Sequence, residues 1–510
     1  MSVPASTTRA PAAGAGDDDV VDTGGPLPRA SAESVGIGSG SLAGLVDALA
    51  DPELGLHGLV VVRHGTVVAE GSWLPYRADT PHSVFSVSKS LTATAVGLAV
   101  ADGRLSVDER VLDVLPSHAT AAARACAGDL TVRHLLTMAT GHGADTMTAM
   151  RVQPGADWVQ LFLETPTVCP PGERFVYDNG ASYLLSVIVS SRTGRSLVEQ
   201  LTPRLFGPLG IEDPVWATDE RGVCLGSTGL RLRTGDLAKI GQLFLQRGRW
   251  HGRQLVDESW IETASRAHVA TDGEPEPDRS QGYGFQFWRS RHGGYRADGA
   301  FGQFVLVLPD QDVVVAISAG TSRTQAVLTA VWDHLLPALH ERALAPDPAA
   351  AAALAERLGN LQISVPAVLP ADPAAAQVLA GRAIRLPSTR LGVETVTVGF
   401  APDVVTMTLA GGDAPTESVT AGRDRWLPGR SVRWPDDELT EVQTANRAGW
   451  LDERTLVVHQ QCVETPFERR WLFRVDDADR VLVRVGLDLP FWEPRTEVLV
   501  GRLDPRRDGA

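Results

Sequence analysis

Lysine is nearly absent from this 510-residue chain: of its 47 basic residues only Lys89 and Lys239 are lysines, the rest arginine. Cysteine is scarce too, and Cys126, Cys169, Cys224 and Cys462 are widely separated with no paired spacing. That excludes a disulfide framework or a cysteine metal site and predicts small buried hydrophobes in a reducing compartment. The histidines show no His-x-x-x-His spacing and no carboxylate cluster, so neither a metal nor another cofactor is expected. No apolar run is long enough to cross a bilayer. Residues 1 to about 25 lack both a basic start and an apolar stretch, so they read as a disordered tail rather than a signal peptide, and the protein is expected in the cytoplasm. There is no basic stripe, and the net charge of −15 excludes the footprint of a nucleic-acid binder.

What is present describes a water-soluble globular chain, 43 % hydrophobic and 21 % charged. Its length predicts two or three domains. Leu42, Leu45, Val46 and Leu49 have helical spacing, and Leu59-Val60-Val61-Val62 is a strand that should pair back through Val67–Glu70. Helices are expected at Val132–Thr140, Ala156–Leu163, Ala181–Thr193, Leu197–Leu205, Thr234–Arg247, Asp257–Ala264 and Thr324–Leu339. Strands are expected at Gly284–Arg289, Phe304–Leu308 and Val313–Ser318. Strands at both ends with helices between imply an α/β sandwich, its antiparallel sheet flanked by helices and its termini meeting in that sheet. The Ala- and Pro-rich run after residue 343 marks a boundary. The expected organisation is a tail (1–27), a first domain (28–342), a linker with a short helix (343–382) and an antiparallel β meander, barrel or sandwich, over 383–510.

Lys89 lies three residues after Ser86 in Phe85-Ser86-Val87-Ser88-Lys89, a Ser-x-x-Lys pair. On a helix the two share a face, so the amine can meet the hydroxyl. A guanidinium cannot serve as a base, whereas a desolvated lysine amine can, which explains a lysine here in an arginine-saturated chain. Ser86 near a helix N-terminus also sets its own N–H where an oxyanion would form. Some 90 residues on, Tyr177-Asp178-Asn179 supplies a second proton-transfer group and an amide able to hold the lysine and a substrate carbonyl. Lys239, on an amphipathic helix, reads as structural, and His142 is a candidate cleft residue.

These motifs, with Gly97-Leu-Ala-Val-Ala-Asp-Gly, His134-Leu-Leu-Thr-Met, Pro171-Gly172 and Thr234-Gly-Asp-Leu-Ala-Lys, resemble the class C β-lactamase-like, penicillin-recognising serine hydrolases. The likeness covers about residues 28 to 342 and is greatest to the branch of 6-aminohexanoate-dimer hydrolases and related esterases. It implies a β-lactamase/transpeptidase-like fold with an all-helical subregion. It further implies Ser86 as acylated nucleophile, Lys89 as general base, Tyr177 as proton shuttle and Asn179 as a positioning residue. The order in which Lys89 and Tyr177 act stays open. The family's third motif, a cation followed by a hydroxyl and a glycine, is matched best by Ala297-Asp298-Gly299, which has the glycine but not the cation; the alternative His292-Gly293-Gly294 has the histidine and the glycine without the hydroxyl. In the first register the Ala300 N–H is the second oxyanion donor, and Asp298, Gly299 and Gln303 border the substrate.

The missing cation, with Asp298 there to repel an anion even though Arg296 could compensate, disfavours anionic substrates, so the reading is a serine hydrolase, carboxylesterase or amidase, of small neutral or amine-bearing esters and amides. One rival is a β-lactam- or D-amino-peptide-directed enzyme; another is a sensor that acylates without turnover. Neither nucleic acid nor membrane is an expected partner. The β domain could cap the cleft, join a homodimer or be a mere appendage.

Overall fold

The computed structural model describes residues 6–9, 25–153, 155–387, 389–433, 441–477, 480–488 and 495–505. Strands β1 (Leu56–Arg63), β2 (Thr66–Ser72), β3 (Trp288–Arg289), β4 (Tyr295–Gly299), β5 (Gln303–Leu308) and β6 (Val313–Ala319) form one antiparallel sheet ordered β2-β1-β6-β5-β4-β3. N-terminal β1 thus lies beside C-terminal β6, as the element order predicts, with Val61 opposite Val315. Strands buried on both faces carry continuous apolar runs. Leu59, Val61, Val315 and Ile317 face one core with helices α1 (Ser39–Leu49) and α5 (Thr324–His334). Val60, Val62, Val314 and Ala316 face the other, with α2 (Val87–Ala101) and α4 (Thr234–Leu245). The helical subregion, including α3 (Asn179–Thr193), extends that second core.

Several boundaries differ from expectation for local reasons. The helix expected over Val132–Thr140 ends at Leu136, because Met138 takes a left-handed φ of +55°. The strand expected over Gly284–Arg289 shrinks to Trp288–Arg289. Gln286 leaves the sheet at φ +62°, donating to the carbonyls of Leu135 and Leu136 and accepting from Ser182. Pro337 follows the earlier stop of α5 at His334. Within the expected N-terminal tail, Ser6–Arg9 pairs with Val215–Thr218, while residues 1–5 and 10–24 lie outside the described residues. The linker is partly structural, since α6 (Pro348–Gly359) and the following residues bury Leu354 and Leu361 in the α1–α5 core.

Among the described residues the remainder is an antiparallel meander of ten strands: β7 (Ala383–Arg385), β8 (Thr395–Phe400), β9 (Val404–Ala410), β10 (Glu417–Gly422), β11 (Leu427–Ser431), β12 (Val442–Asp452), β13 (Thr455–Cys462), β14 (Glu468–Asp477), β15 (Arg480–Asp488) and β16 (Arg495–Leu503). It curls into a barrel: β7 pairs with β16, and β10 touches β12 where Gly422 meets Arg447. Alternate residues such as Val396, Met407, Val458, Trp471 and Val483 fill the interior. One end is polar inside, where Arg469 donates to Gln460, Ser431 and the Arg433 carbonyl. Cys224 and Cys462 are buried, as expected of small hydrophobes, while Cys126 and Cys169 are only half-buried.

The barrel is seated on the first domain through the turn after β13. Ser83 N–H donates to the Glu464 carbonyl (2.7 Å), and the Tyr76 hydroxyl donates to the Thr465 carbonyl (2.9 Å) while accepting from Gln461 Nε2 (2.6 Å). His57 stacks on Tyr76 at 3.6 Å. Its Nδ1 lies 3.1 Å from His82 Nε2, and His82 Nδ1 lies 2.9 Å from the Ser83 carbonyl. Both imidazoles are driven to the neutral form chiefly by burial, His82 to about 4, so each can donate once along this chain. Tyr76→Phe removes a buried hydroxyl bridging the two domains and should cost about 1–3 kcal/mol. Denaturant unfolding of both proteins tests this; an unchanged midpoint would mean that the bridge contributes nothing to the seat.

Candidate active site

Ser86 precedes the first residue of α2, a helix buried on nearly every side, with its side chain left free of capping and Lys89 one turn further on. Small residues let α2 sit at the centre: a Cβ on Gly97 would come within 2.4 Å of the Trp260 ring. Lys89 Nζ makes three hydrogen bonds, to Ser86 Oγ (2.9 Å), Asn179 Oδ1 (2.7 Å) and the Ser227 carbonyl (2.8 Å). It also lies 4.8 Å above the Tyr177 ring. Helix α2, the start of α3 and the Gly226–Gly229 loop therefore converge on one amine. Burial lowers its pKa from 10.5 to about 7, against the opposing pull of Asp145 and Asp178. The Tyr177 hydroxyl is raised above the usual phenol range, again mainly by burial, with a hydrogen bond to Ser86 acting the other way. At neutral pH the cluster thus holds an amine close to half-protonated and a neutral phenol.

Two carboxylates that sequence reasoning did not select organise the lysine's partners. Asp145 accepts from the Asn179 amide nitrogen (2.8 Å) and backbone N–H (2.8 Å), which turns Asn179 Oδ1 toward Lys89. Asp178 caps α3 and also accepts from Thr146. His142 is buried with its Nδ1 3.2 Å from Asp178 and its ring edge-on to Phe162, so it supports the loop instead of facing the cleft. Ser227 acts through a carbonyl, which leaves no mark in a sequence. Asp145 had a weak signal only, an acid in the loop after Gly141-His142-Gly143.

The opposite wall is the end of β4. A Cβ on Gly299 would lie 2.4 Å from the Val84 carbonyl, so only glycine allows this strand so near the Ser86 turn. His292-Gly293-Gly294 forms the turn before β4 instead, with His292 against Trp332. Asp298 is bound by Arg296 Nε and Nη2, both at 2.9 Å, making an internally neutral pair. Gln303 is fully buried and donates to the carbonyls of Ala300 (3.2 Å) and Ala319 (2.6 Å), so it holds the strand end rather than touching a substrate. Two bulky residues here adopt left-handed backbone: Phe85, just before Ser86, at φ +46°, and Phe301, just after Ala300, at φ +67°. Such a conformation costs on the order of 1–3 kcal/mol per residue and persists only where its surroundings enforce it.

Fold and site together define a class. A Beta-lactamase family model matches residues 46–338, more than half of the chain, and the chain belongs to that family. It is 24 % identical over 279 residues to the 6-aminohexanoate-dimer hydrolase of Paenarthrobacter ureafaciens, covering 50 % of this chain and 70 % of that one. It is 29 % identical over 224 residues to penicillin-binding protein 4 of Amycolatopsis lactamdurans, covering 41 % and 56 % respectively. Among solved structures, a putative 6-aminohexanoate-dimer hydrolase from Bacillus anthracis superposes with a TM-score of 0.50 at 22 % identity, over 61 % of this chain and 87 % of that one. At the level of class the protein is a serine hydrolase. Among the described residues no helix is long and apolar enough to cross a membrane.

Burying the Lys89 amine works against folding. A fall from 10.5 to about 7 corresponds to roughly 5 kcal/mol between the charged and neutral amine. Below about pH 7 the folded protein carries the full cost of the charged form. Between about 7 and 10.5 the unfolded chain holds a proton that the folded one has released, so stability rises with pH across that window. Lys89→Met should therefore gain in melting temperature relative to wild type at pH 6 and lose that advantage toward pH 10. A difference that does not vary with pH would show that this amine is not desolvated.

Proposed function

We propose that the chain hydrolyses a small neutral or amine-bearing ester or amide through an acyl-enzyme on Ser86. The observation that carries this reading is the Lys89 amine, 2.9 Å from Ser86 Oγ and held at a pKa of about 7. In acylation the neutral amine takes the Ser86 proton as Oγ bonds to the substrate carbonyl carbon, and the N–H groups of Ser86 and Ala300 receive the oxyanion. The tetrahedral adduct then expels an alkoxide or amine, which takes its proton through Tyr177, itself replenished from Lys89. Water attacks the acyl carbon by the reverse proton route and frees Ser86. A tyrosine raised by burial suits relay better than first base, so Lys89 takes the acylation step. Asn179 orients the amine, and Asp145 orients Asn179.

The likeness to a penicillin-binding protein favours a β-lactam or D-amino-peptide substrate as second reading. Against it stands the third motif, in which Ala297 fills the place of the cation and Asp298, paired to Arg296, that of the hydroxyl. The name of the 6-aminohexanoate-dimer hydrolase accords with an amide substrate.

Intact mass after treatment with a fluorophosphonate, with p-nitrophenyl butyrate turnover alongside, tests the mechanism. Wild type should gain one adduct and turn over; Ser86→Ala should do neither. Lys89→Arg keeps the charge but not the base, and should lose about 10³-fold or more in kcat. In wild type kcat/KM should rise with pH through about 7, as Lys89 gives up its proton. Full labelling of Ser86→Ala would refute the nucleophile, labelling without turnover would favour a sensor, and faster hydrolysis of a cephalosporin than of the ester would favour the second reading.

A further inference from the structure

Each backbone segment carrying an oxyanion N–H adjoins a phenylalanine in left-handed conformation: Phe85 precedes Ser86, and Phe301 follows Ala300. Their rings meet edge to face at 4.8 Å. A third ring completes the group. Phe467, on the turn between β13 and β14, lies 5.5 Å from Phe301 and 6.1 Å from Phe85, edge to face with both. Val442, Cys462 and Leu487 from the barrel close around Phe301 and Phe467, against half-buried Phe85 and Ala300.

We infer that Phe467, supplied by the C-terminal barrel, is a positioning residue of the oxyanion site: its ring locks Phe85 and Phe301, and through them the N–H groups of Ser86 and Ala300. The inference rests on the hydrolase reading above. A left-handed phenylalanine relaxes toward negative φ unless its side chain is trapped, and rotation about that φ would re-aim the adjacent peptide. On the first-domain side, Gln303 fixes the Ala300 carbonyl and Thr321 N–H holds the Phe301 carbonyl. On the Ser86 side the Ser83–Glu464 bond pins the chain two residues before Phe85, again from the barrel. Phe467 is itself set by its own turn, where its N–H donates to Thr465 Oγ1 and its carbonyl accepts from the Cys462 N–H and Gln461 Nε2. The barrel therefore acts on the reaction without supplying a reacting group.

Full-length wild type, Phe467→Ala and Phe467→Leu are compared by kcat and KM for p-nitrophenyl acetate and butyrate, by inhibition with phenylboronic acid, and by melting temperature. Phenylboronic acid forms a tetrahedral adduct on the serine and so reports the oxyanion site directly. Phe467→Ala should lower kcat for both esters about 10- to 100-fold and weaken the boronic acid by a similar factor, leaving KM within about threefold. Phe467→Leu, which keeps apolar volume, should fall between, and carries the test if Phe467→Ala does not fold. A kcat within about threefold of wild type in the folded variant overturns the inference. So does an effect confined to KM or to the butyrate-to-acetate ratio, which would make the ring a wall of the acyl pocket. A wild type that neither labels with fluorophosphonate nor turns over overturns the hydrolase reading first, and is told apart by that.

Discussion

The dry lysine amine is the constraint on which the rest of the site depends. An ammonium buried at Lys89 tends to lose its proton, and it is retained in one place only because three acceptors surround it. Those acceptors come from an α2 hydroxyl, a side-chain amide at the head of α3 and a loop carbonyl. To move any of these elements is to strand the amine. This explains why α2 is packed on nearly all sides and carries buried hydroxyls, Thr94 donating to its own backbone and Thr92 to the Gly226 carbonyl of the neighbouring loop. Asp145 and Asp178 keep the amine from falling further, so its final value is a balance between burial and carboxylates at a distance.

A second constraint is close approach. The nucleophile turn and the end of β4 come near enough that Gly299 can bear no Cβ, and two phenylalanines accept left-handed backbone at the same junction. Strain of this kind needs support from outside the strained segment. The sheet and Gln303 give it on one side, and the turn after β13 gives it on the other. The His57–Tyr76–His82 stack belongs to the same seat: uncharged imidazoles tolerate burial there where charged ones would not.

Much of this was legible in the chain. The pairing of N- and C-terminal strands followed from apolar runs at both ends of the first domain, and the Ser86–Lys89 contact followed from helical spacing in a chain almost without lysine. Tyr177 and Asn179 stood out by their chemistry and their place about 90 residues after the Ser-x-x-Lys pair, and the family likeness added weight, since a lone Tyr-x-Asn is weak. What stayed hidden was hidden for physical reasons. Ser227 contributes only a carbonyl. His142 carried the chemistry of a cleft residue, but its partner Asp178 could be identified only once the loop was folded. β12 did not read as a strand because its inward Thr444 and Asn446 belong to the polar end of the barrel, and β11 was obscured by Pro428 and Gly429. The seat between the domains unites residues nearly 400 positions apart, among them Tyr76 and Thr465.

The third motif carries the argument on substrate furthest. A free cation at that strand would fix an anionic group beside the scissile carbonyl and keep Lys89 deprotonated by repulsion. Asp298 does the reverse and raises the Lys89 pKa, so the low value there is owed chiefly to burial, with a smaller contribution from Arg151. Arg296 binds one carboxylate oxygen of Asp298 through Nε and Nη2 and directs Nη1 to the carbonyls of Asp278 and Arg289 and the Ser290 hydroxyl. The guanidinium is thus committed to the fold. On the proposed reading, a substrate anion arriving here would meet the charge-cancelling Arg296–Asp298 pair and an Arg279 already paired to Glu276, whereas a neutral carbonyl compound needs only the two backbone N–H groups. On the proposed reading, a preference for uncharged acyl groups would follow from the same economy of buried charge that lowers the Lys89 pKa.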